Sequence, residues 1–340
     1  MKRFFLIIAL FCAFTLASAQ SPRYIFFMIG DGMGAEQVKL TNERPCFLNF
    51  PVTGEITTYS ADADITDSAA AGTALSTGKK TSNGTIGMNP EHSENYYSIV
   101  TDAMAAGYGT AIMTSVSLDH ATPASFYAHR PSRNDYYEIS GFVAESGVNI
   151  FAGAGFKDPR ENLKAMKKAG YKIVRGEDAK INGNKVIWIQ DETADQSQLP
   201  YKYNRGENDM ELPDMLEEVI DALEKSHKKF FIMAEGGMID WACHSNDAYL
   251  ARGEVEDFDE AIQEALDFYE DHRNETLIVV TADHETGGLT VNADGSVSWT
   301  TDYHTGVNVP VYAIGVGAEK FQGTLDNTDI PNIIRDLIKK

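Results

Sequence analysis

Three apolar runs in this sequence end in an acidic residue that stands beside glycine or histidine, and this pattern constrains the fold most. The runs precede Asp31, Glu235 and Asp283. Short runs of β-branched and aromatic residues are typical of buried strands. Because ligands of an open α/β sheet bind at the carboxyl ends of its strands, the three carboxylates are expected to meet at one edge. Each acid alone could instead cap the helix that follows it.

Apolar runs of this kind recur along the chain and predict strands. They cover residues 24–29, 110–114, 149–152, 230–234, 276–281 and 309–314. Between them lie stretches such as residues 254–273, whose apolar side chains recur at helical spacing. This alternation predicts an α/β fold, a sandwich in which helices flank a central, mostly parallel sheet.

The segment after the second acidic residue places an aspartate and a histidine four residues apart. On a helix, Asp240 and His244 would lie on one face and could bind one cation, although a lone pair of this kind is more often a surface contact. Two further histidines, His284 beside the third acid and His304 in a loop, complete a set of four carboxylates and three imidazoles. Such a set suits hard and borderline divalent cations. Four clustered carboxylates could not all stay ionised without cations.

Ser68 precedes a run of small residues, AAAGTALSTG, which predicts a closely packed helix that starts at the serine. The free N–H groups and the dipole at such an end favour an anion, so Ser68 is a candidate nucleophile beside a phosphate. A plain capping serine is the alternative reading. A triad of Ser68 with Asp283 and His284 is a rival arrangement. However, the Gly-x-Ser-x-Gly elbow is missing, and adjacent Asp and His residues cannot orient each other as a triad requires.

A third region, residues 118–135, offers a hydroxyl and a guanidinium. The hydroxyl belongs to Thr122, two residues after His120. Arg133 can hold two phosphate oxygens in a bidentate fork. This region therefore supplies candidate residues for binding a phosphoryl group.

Composition and the first residues indicate where the protein acts. A formal net charge of −21 argues against nucleic-acid binding by counterion release. Residues 1–19 have a basic start, an apolar run and a small-residue end, the layout of a secretory signal peptide. That run is too short to span a membrane, so we expect an exported protein, periplasmic or secreted, without a membrane partner. Only Cys46 and Cys243 follow it, so a hydrophobic core and not a disulfide scaffold should stabilise the fold.

Six motifs resemble those of the alkaline phosphatase family and follow that family's order. They are IGDG around Asp31, TDSAA around Ser68, HATPA around Thr122, EGGMID from Glu235 to Asp240, TADHETGG around Asp283 and His284, and HTG from His304. They extend over most of the chain after the signal peptide and are highly specific as a set. The resemblance implies the alkaline phosphatase sandwich fold, broad hydrolysis of phosphate monoesters through a phosphoserine intermediate, and a homodimer.

The resemblance also implies two zinc ions and one magnesium ion per chain. It assigns one zinc to Asp240, His244 and His304, the second to Asp31, Asp283 and His284 with Ser68, and the magnesium to Asp31, Thr122 and Glu235. Ser68 is then the nucleophile, and Arg133 binds the phosphoryl group. The charge of three divalent cations exceeds that of the four carboxylates, and the surplus suits a phosphate dianion.

The chain departs from the best-known bacterial pattern at His120 and Trp241, where that pattern has Asp and Lys. Similar choices occur in other bacterial members, so the expected activity is unchanged. The departures bear on the third metal and on product retention, because lysine would add a positive charge that tryptophan lacks. We expect weaker phosphate retention than in a lysine-containing relative.

Residues 20–340 are expected to form one domain. The polar stretch at about 172–208, with its Asn and Gly residues, is predicted to be the family's variable surface insertion. It could border the active-site cleft, or it could be a solvated loop without a role in substrate choice.

Related metalloenzymes offer the nearest rival functions: a phosphodiesterase, a sulfatase or a phosphosugar mutase. A sulfatase would need Cys or Ser followed by x-Pro-x-Arg, which the residues after Ser68 lack. A diesterase would hold one phosphate oxygen less tightly, so Arg133 favours monoesters. A non-catalytic phosphate- or metal-binding protein would be expected to lack some ligands or the nucleophile, whereas every position is filled here.

Overall fold

The structure is a computed structural model that describes residues 21–339 of the 340-residue chain. The predicted signal peptide at residues 1–19 lies outside the described residues. Within residues 21–339, no helix is long and apolar enough to cross a membrane.

The strands of the described chain are numbered in chain order. They are β1 (Tyr24–Gly30), β2 (Val52–Thr57), β3 (Gly109–Thr114), β4 (Ile150–Gly153), β5 (Lys172–Arg175), β6 (Val186–Ile189), β7 (Phe230–Gly236), β8 (Thr276–Thr281), β9 (Glu285–Thr286), β10 (Thr290–Val291), β11 (Val297–Ser298), β12 (His304–Thr305), β13 (Val309–Gly315) and β14 (Gly323–Asp326).

Ten of these strands form one sheet in the order β14-β2-β13-β8-β1-β7-β3-β4-β6-β5. Neighbouring strands pair in parallel except at β13, which is antiparallel to both β2 and β8. The short strands form two separate antiparallel pairs, β10 with β11 and β9 with β12.

The helices lie between the strands and cover the sheet. They are α1 (Ala35–Val38), α2 (Ser68–Thr77), α3 (Ile99–Ala105), α4 (Ala121–Ala124), α5 (Tyr136–Ser146), α6 (Asn162–Lys168), α7 (Leu212–Ser226), α8 (Met238–His244), α9 (Ala248–Asp271) and α10 (Asp329–Ile338). Helix α9 packs on β1, β7 and β8 and against α7 and α8, whereas α2 contacts α3, α4 and α10. A large, mostly parallel sheet flanked by helices confirms the predicted α/β fold.

The six strands predicted from apolar runs are all present, with bounds within two residues of those predicted. Strands β1, β7 and β8 lie in the middle of the sheet and are buried along their whole length. Continuous apolar runs are the pattern expected for strands covered on both faces. The helical spacing predicted for residues 254–273 corresponds to most of α9.

The helix that follows Ser68 forms for two local reasons. Asp67 caps its first turn, where the carboxylate accepts a hydrogen bond of 3.0 Å from the N–H of Ala70. Gly78 ends it with φ +75°, a conformation that glycine adopts without strain. All ten residues of α2 are buried. The small side chains allow this close packing, as the sequence predicts.

The stretch at 172–208 contributes β5 and β6, the last two strands at one edge of the sheet. It then runs beside the loop that follows β3. There, the N–H of Ser117 donates to the carbonyl of Ser197 (2.9 Å), and the N–H of Leu199 donates to the carbonyl of Ser115 (2.8 Å). A role of this stretch in substrate choice stays a prediction.

Candidate active site

Three carboxylates lie at the carboxyl ends of three adjacent strands. Asp31 follows β1, Glu235 is near the end of β7, and Asp283 follows β8. Strand β1 lies between the other two, and its Ile29 is in register with both Glu235 and Thr281. All three acidic side chains are fully buried. The parallel register therefore brings together the three acids that the strand pattern singles out.

The Nε2 atom of His284 is surrounded by oxygens. Asp31 Oδ1 and Asp283 Oδ2 lie 3.4 Å from it, and Ser68 Oγ lies 3.3 Å from it. One nitrogen cannot hydrogen-bond to three oxygens at once, whereas separations of about 3.3 Å follow from bonds of ~2.0–2.1 Å to a tetrahedral cation. The Nδ1 atom contacts Thr286 Oγ1 at 3.3 Å. This geometry excludes the Ser-His-Asp triad, in which the acid orients Nδ1.

A second group of possible ligands joins helix α8 to strand β12. Asp240 Oδ2 lies 3.3 Å from His244 Nε2, and His304 Nε2 lies 3.2 Å from that same nitrogen. Each histidine donates its Nδ1 proton to a backbone carbonyl, His244 to Asp302 (2.7 Å) and His304 to Thr66 (2.8 Å). The two Nε2 lone pairs therefore point at each other. They need a proton or a cation between them, and their separation again matches ligands around one tetrahedral ion.

A third group forms around Asp31 and Glu235. His120 offers a ring nitrogen to the same space as these two carboxylates. Buried atoms without a hydrogen-bond partner include both carboxylate oxygens of Asp31, Glu235 Oε1, Thr122 Oγ1 and His120 Nδ1. The remaining Glu235 oxygen accepts from the hydroxyl of Thr114. Because buried polar atoms are nearly always partnered, the unpartnered oxygens of Asp31, Glu235 and Thr122 fit a bound divalent cation.

Burial and mutual repulsion dominate the electrostatics of the carboxylates. Burial, reinforced by Asp283, raises the pKa of Asp31 well above its ordinary value. Burial also raises the pKa of Glu235 to about 8 and that of Asp283 to about 7. Burial alone would raise the pKa of Asp240 as well, but the hydrogen bond from His244 and the nearby imidazoles hold it below its ordinary value. The same hydrogen bond raises the pKa of His244 to about 9.

Arg133 lies beside the N-terminus of α2. Its Nη1 donates to Asp67 Oδ2 (3.0 Å) and its Nη2 to His120 Nε2 (3.2 Å). Because that nitrogen accepts a hydrogen bond, His120 is neutral. Burial and the charge of Arg133 lower the pKa of the His120 imidazole to about 3. Trp241 meets the His120 ring edge-on, with ring centroids 5.9 Å apart. This corner thus has one permanent positive charge, on a guanidinium whose side chain is 24% exposed beside Ser68.

Three residues of this region have no role in the sequence prediction. Asp67 caps α2 and holds Arg133, and its place directly before Ser68 is a signal for a helix cap. Thr286 lies two residues after His284, the spacing that puts side chains on one face of an extended chain. Thr114 ends β3, whose sheet neighbour is β7, and only the strand order brings it to Glu235.

Fold and site together define a class, a metal-binding hydrolase built on a mostly parallel sheet. Comparison with known proteins narrows it. A family model described as "Alkaline phosphatase" matches residues 23–153, 151–296 and 288–339. Alkaline phosphatase 4 of Bacillus subtilis (strain 168) is 31% identical over 93% of this chain and 89% of its own length. Alkaline phosphatase of Escherichia coli (strain K12) is 27% identical over 92% and 85%.

A solved structure agrees with this similarity. Alkaline phosphatase from the Antarctic bacterium TAB5 superposes with a TM-score of 0.85 at 32% identity, covering 94% of this chain and 99% of that one. The chain belongs to the alkaline phosphatase family and hydrolyses phosphate monoesters.

Proposed function

We propose that this enzyme transfers the phosphoryl group of a monoester first to Ser68 and then to water, with two zinc ions and one magnesium ion in the site. The observation that carries the proposal is the arrangement around His284 Nε2, where three oxygens, Ser68 Oγ among them, lie 3.3–3.4 Å away. If a cation binds among these groups, Ser68 Oγ would share it with two carboxylates and the imidazole.

The cation assignments follow from the donor atoms in each group. The residues proposed to hold them are Asp240, His244 and His304 for one zinc, Asp31, Asp283 and His284 with Ser68 for the other, and Asp31, Thr122 and Glu235 for magnesium. Mixed nitrogen and oxygen donors suit zinc, whereas an all-oxygen set suits magnesium. The ring of His120 faces the third group. Because Nε2 of this neutral ring accepts from Arg133, its proton lies on Nδ1, so His120 would adjoin the third cation as a hydrogen-bond donor and not as a direct ligand.

The chain's own groups then divide the reaction into two displacements. Ser68 Oγ attacks phosphorus, and the bond from phosphorus to the ester oxygen breaks. The net proton lost by the Ser68 hydroxyl is the one that the leaving oxygen gains to become the alcohol. Water next attacks phosphoserine, which returns the serine hydroxyl and releases inorganic phosphate. Divalent cations in the site would supply Lewis-acid stabilisation of the negative charge on the entering and leaving oxygens.

Arg133 positions the phosphoryl group during both steps. Its guanidinium is held from behind by Asp67 at 3.0 Å, so the fork has a fixed direction beside the start of α2. A monoester offers two unesterified oxygens to the fork and a third to the cations. These contacts would bind only the phosphoryl group and none of the alcohol part of the ester. We therefore propose that the enzyme accepts monoesters of many alcohols.

Export and assembly are proposed on sequence grounds. The layout of residues 1–19 supports a periplasmic or secreted enzyme, and the family resemblance supports a homodimer. The N-terminal residue of the purified protein and its mass in solution test the two statements. A retained leader would contradict export, and a monomer at working concentration would contradict the dimer.

The experiment that tests the proposal measures hydrolysis of a chromogenic phosphate monoester at alkaline pH. Metal-replete enzyme, chelator-treated enzyme and Ser68→Ala are compared, with Ser76→Ala as a matched control. Ser76 is a buried serine of the same helix whose hydroxyl contacts only backbone carbonyls. We expect turnover to fall by roughly three orders of magnitude or more in Ser68→Ala and after chelation, but little in Ser76→Ala. Near-normal turnover by Ser68→Ala would exclude transfer through the serine.

A further inference from the structure

Thr286 is a buried residue that touches both proposed zinc sites. Its Oγ1 lies 2.5 Å from Asp240 Oδ1 and 3.3 Å from His284 Nδ1. A hydroxyl has one proton to donate, and an ionised carboxylate can only accept, so the threonine proton points to Asp240. The same oxygen then accepts the Nδ1 proton of His284. One hydroxyl therefore joins a residue of each site.

This contact sets the chemical form of the imidazole. With its proton on Nδ1, His284 presents an Nε2 lone pair toward Asp31, Asp283 and the serine oxygen. A histidine that binds a metal commonly donates its other ring N–H to a neighbour, which fixes both tautomer and ring orientation. In this chain that neighbour is the Thr286 hydroxyl, which donates its own proton to Asp240 in the other site.

The backbone holds Thr286 in place from several directions. Its N–H donates to the carbonyl of Gly32 (3.2 Å), its carbonyl accepts from Gln37 Nε2 (2.7 Å), and it pairs with His304 across the β9–β12 ribbon. Gly32 has φ +71°, and a Cβ there would lie 2.7 Å from Thr286 Oγ1 and 3.0 Å from Asp240 Oδ1. Only glycine leaves room for the hydroxyl to approach the carboxylate.

We propose that Thr286 is a positioning residue that couples the two zinc sites, so that the orientation of Asp240 in one depends on that of His284 in the other. The inference rests on the proposed function, because it requires zinc in both sites. Loss of the hydroxyl leaves the Nδ1 proton unpaired and removes a hydrogen bond from a buried carboxylate. Both sites should therefore weaken together.

The test is a zinc-binding titration that needs no substrate. Full-length enzyme stripped of metal is titrated with zinc against a chromogenic chelator, in excess magnesium, for wild type, Thr286→Val and Thr286→Ser. Valine keeps the shape and removes the hydroxyl, whereas serine restores it. Thr281→Val is the matched control, because the Thr281 hydroxyl is equally buried and contacts only backbone carbonyls.

We expect the wild type, Thr286→Ser and Thr281→Val to bind two zinc ions with similar affinities. Thr286→Val should bind both ions about 10–100-fold more weakly, while its melting temperature in chelator falls by roughly a few degrees, the effect of lost buried hydrogen bonds alone. An unchanged titration, or weakening of one ion only, would overturn the coupling and leave the proposed zinc sites intact. A wild type that binds fewer than two zinc ions would overturn both proposals. If Thr286→Val does not fold, Thr286→Ala against Thr286→Ser makes the same comparison.

Discussion

Removal of the cations should make the active site take up protons. Burial raises the pKa of Asp31 well above its ordinary value, that of Glu235 to about 8 and that of Asp283 to about 7. The hydrogen bond to Asp240 raises the pKa of His244 to about 9. Cation ligands must be deprotonated, so each proton held by the metal-free site has to leave when metal binds.

The size of the effect follows from these pKa values. At pH 7.5 the metal-free protein should hold nearly one proton on His244 and about one more shared by Glu235 and Asp283. Metal loading should therefore release about two protons per chain from these three groups, and fewer as the pH rises above 8.

The same pKa values predict how stability depends on pH without metal. Carboxyl pKa values that are raised in the folded state stabilise the fold at low pH, and this contribution is lost as pH rises through about 7 to 8. The metal-free protein should thus melt at a lower temperature at pH 9 than at pH 6. The melting temperature of the metal-loaded protein should not fall in this way, because cations neutralise its carboxylates at both pH 6 and pH 9.

Calorimetry measures the proton release directly. Metal-free enzyme is titrated with zinc and magnesium at pH 7.5 in two buffers of different ionisation enthalpy, and the difference in heat gives the number of protons. Release of less than one proton per chain would refute the reasoning. So would equal melting temperatures of the metal-free protein at pH 6 and pH 9.

Three substitutions test other parts of the structure. Arg133→Lys should raise the Michaelis constant for a monoester by about tenfold, because lysine cannot form a two-point fork, and unchanged steady-state kinetics would contradict the role of the guanidinium. Trp241→Lys should lower the inhibition constant of phosphate by about fivefold, the equivalent of ~1 kcal/mol for a partly exposed charge, and an equal or higher constant would refute this. Arg205 and Asp257 form a buried two-point ion pair, with contacts of 2.5 and 2.7 Å. Arg205→Met should lower the free energy of unfolding in urea by about 3–5 kcal/mol, and Asp257→Asn added to it should recover part of the loss. If the double variant were no more stable than Arg205→Met alone, the loss would not come from the unpaired, buried charge of Asp257.

The sequence allows prediction of the central strands and of their acidic ends, because both signals are local. Continuous apolar runs identify β1, β7 and β8, and the parallel register then brings Asp31, Glu235 and Asp283 to one edge. Asp240 and His244, which would share one face if their segment were helical, both lie on α8. In each case neighbouring residues alone contain the information.

Features that depend on strand order are absent from the local pattern. Strand β13 is predicted as a strand, but its antiparallel pairing with β2 and β8 follows from the path of the loops. Strand β2 is mostly exposed or half-buried along its length, so no apolar run marks it. The contact of Thr114 with Glu235 exists only because β3 lies next to β7. The approach of Thr286 to Asp240 likewise requires two elements that are distant in the chain.

The stereochemistry of transfer at phosphorus tests the central claim most directly. The enzyme transfers the phosphoryl group of an isotopically chiral phosphate monoester to an alcohol acceptor, and the configuration of the product is measured. Two successive in-line displacements through phosphoserine at Ser68 predict overall retention of configuration. Inversion would mean a single direct displacement by the acceptor and would contradict a covalent intermediate on the serine.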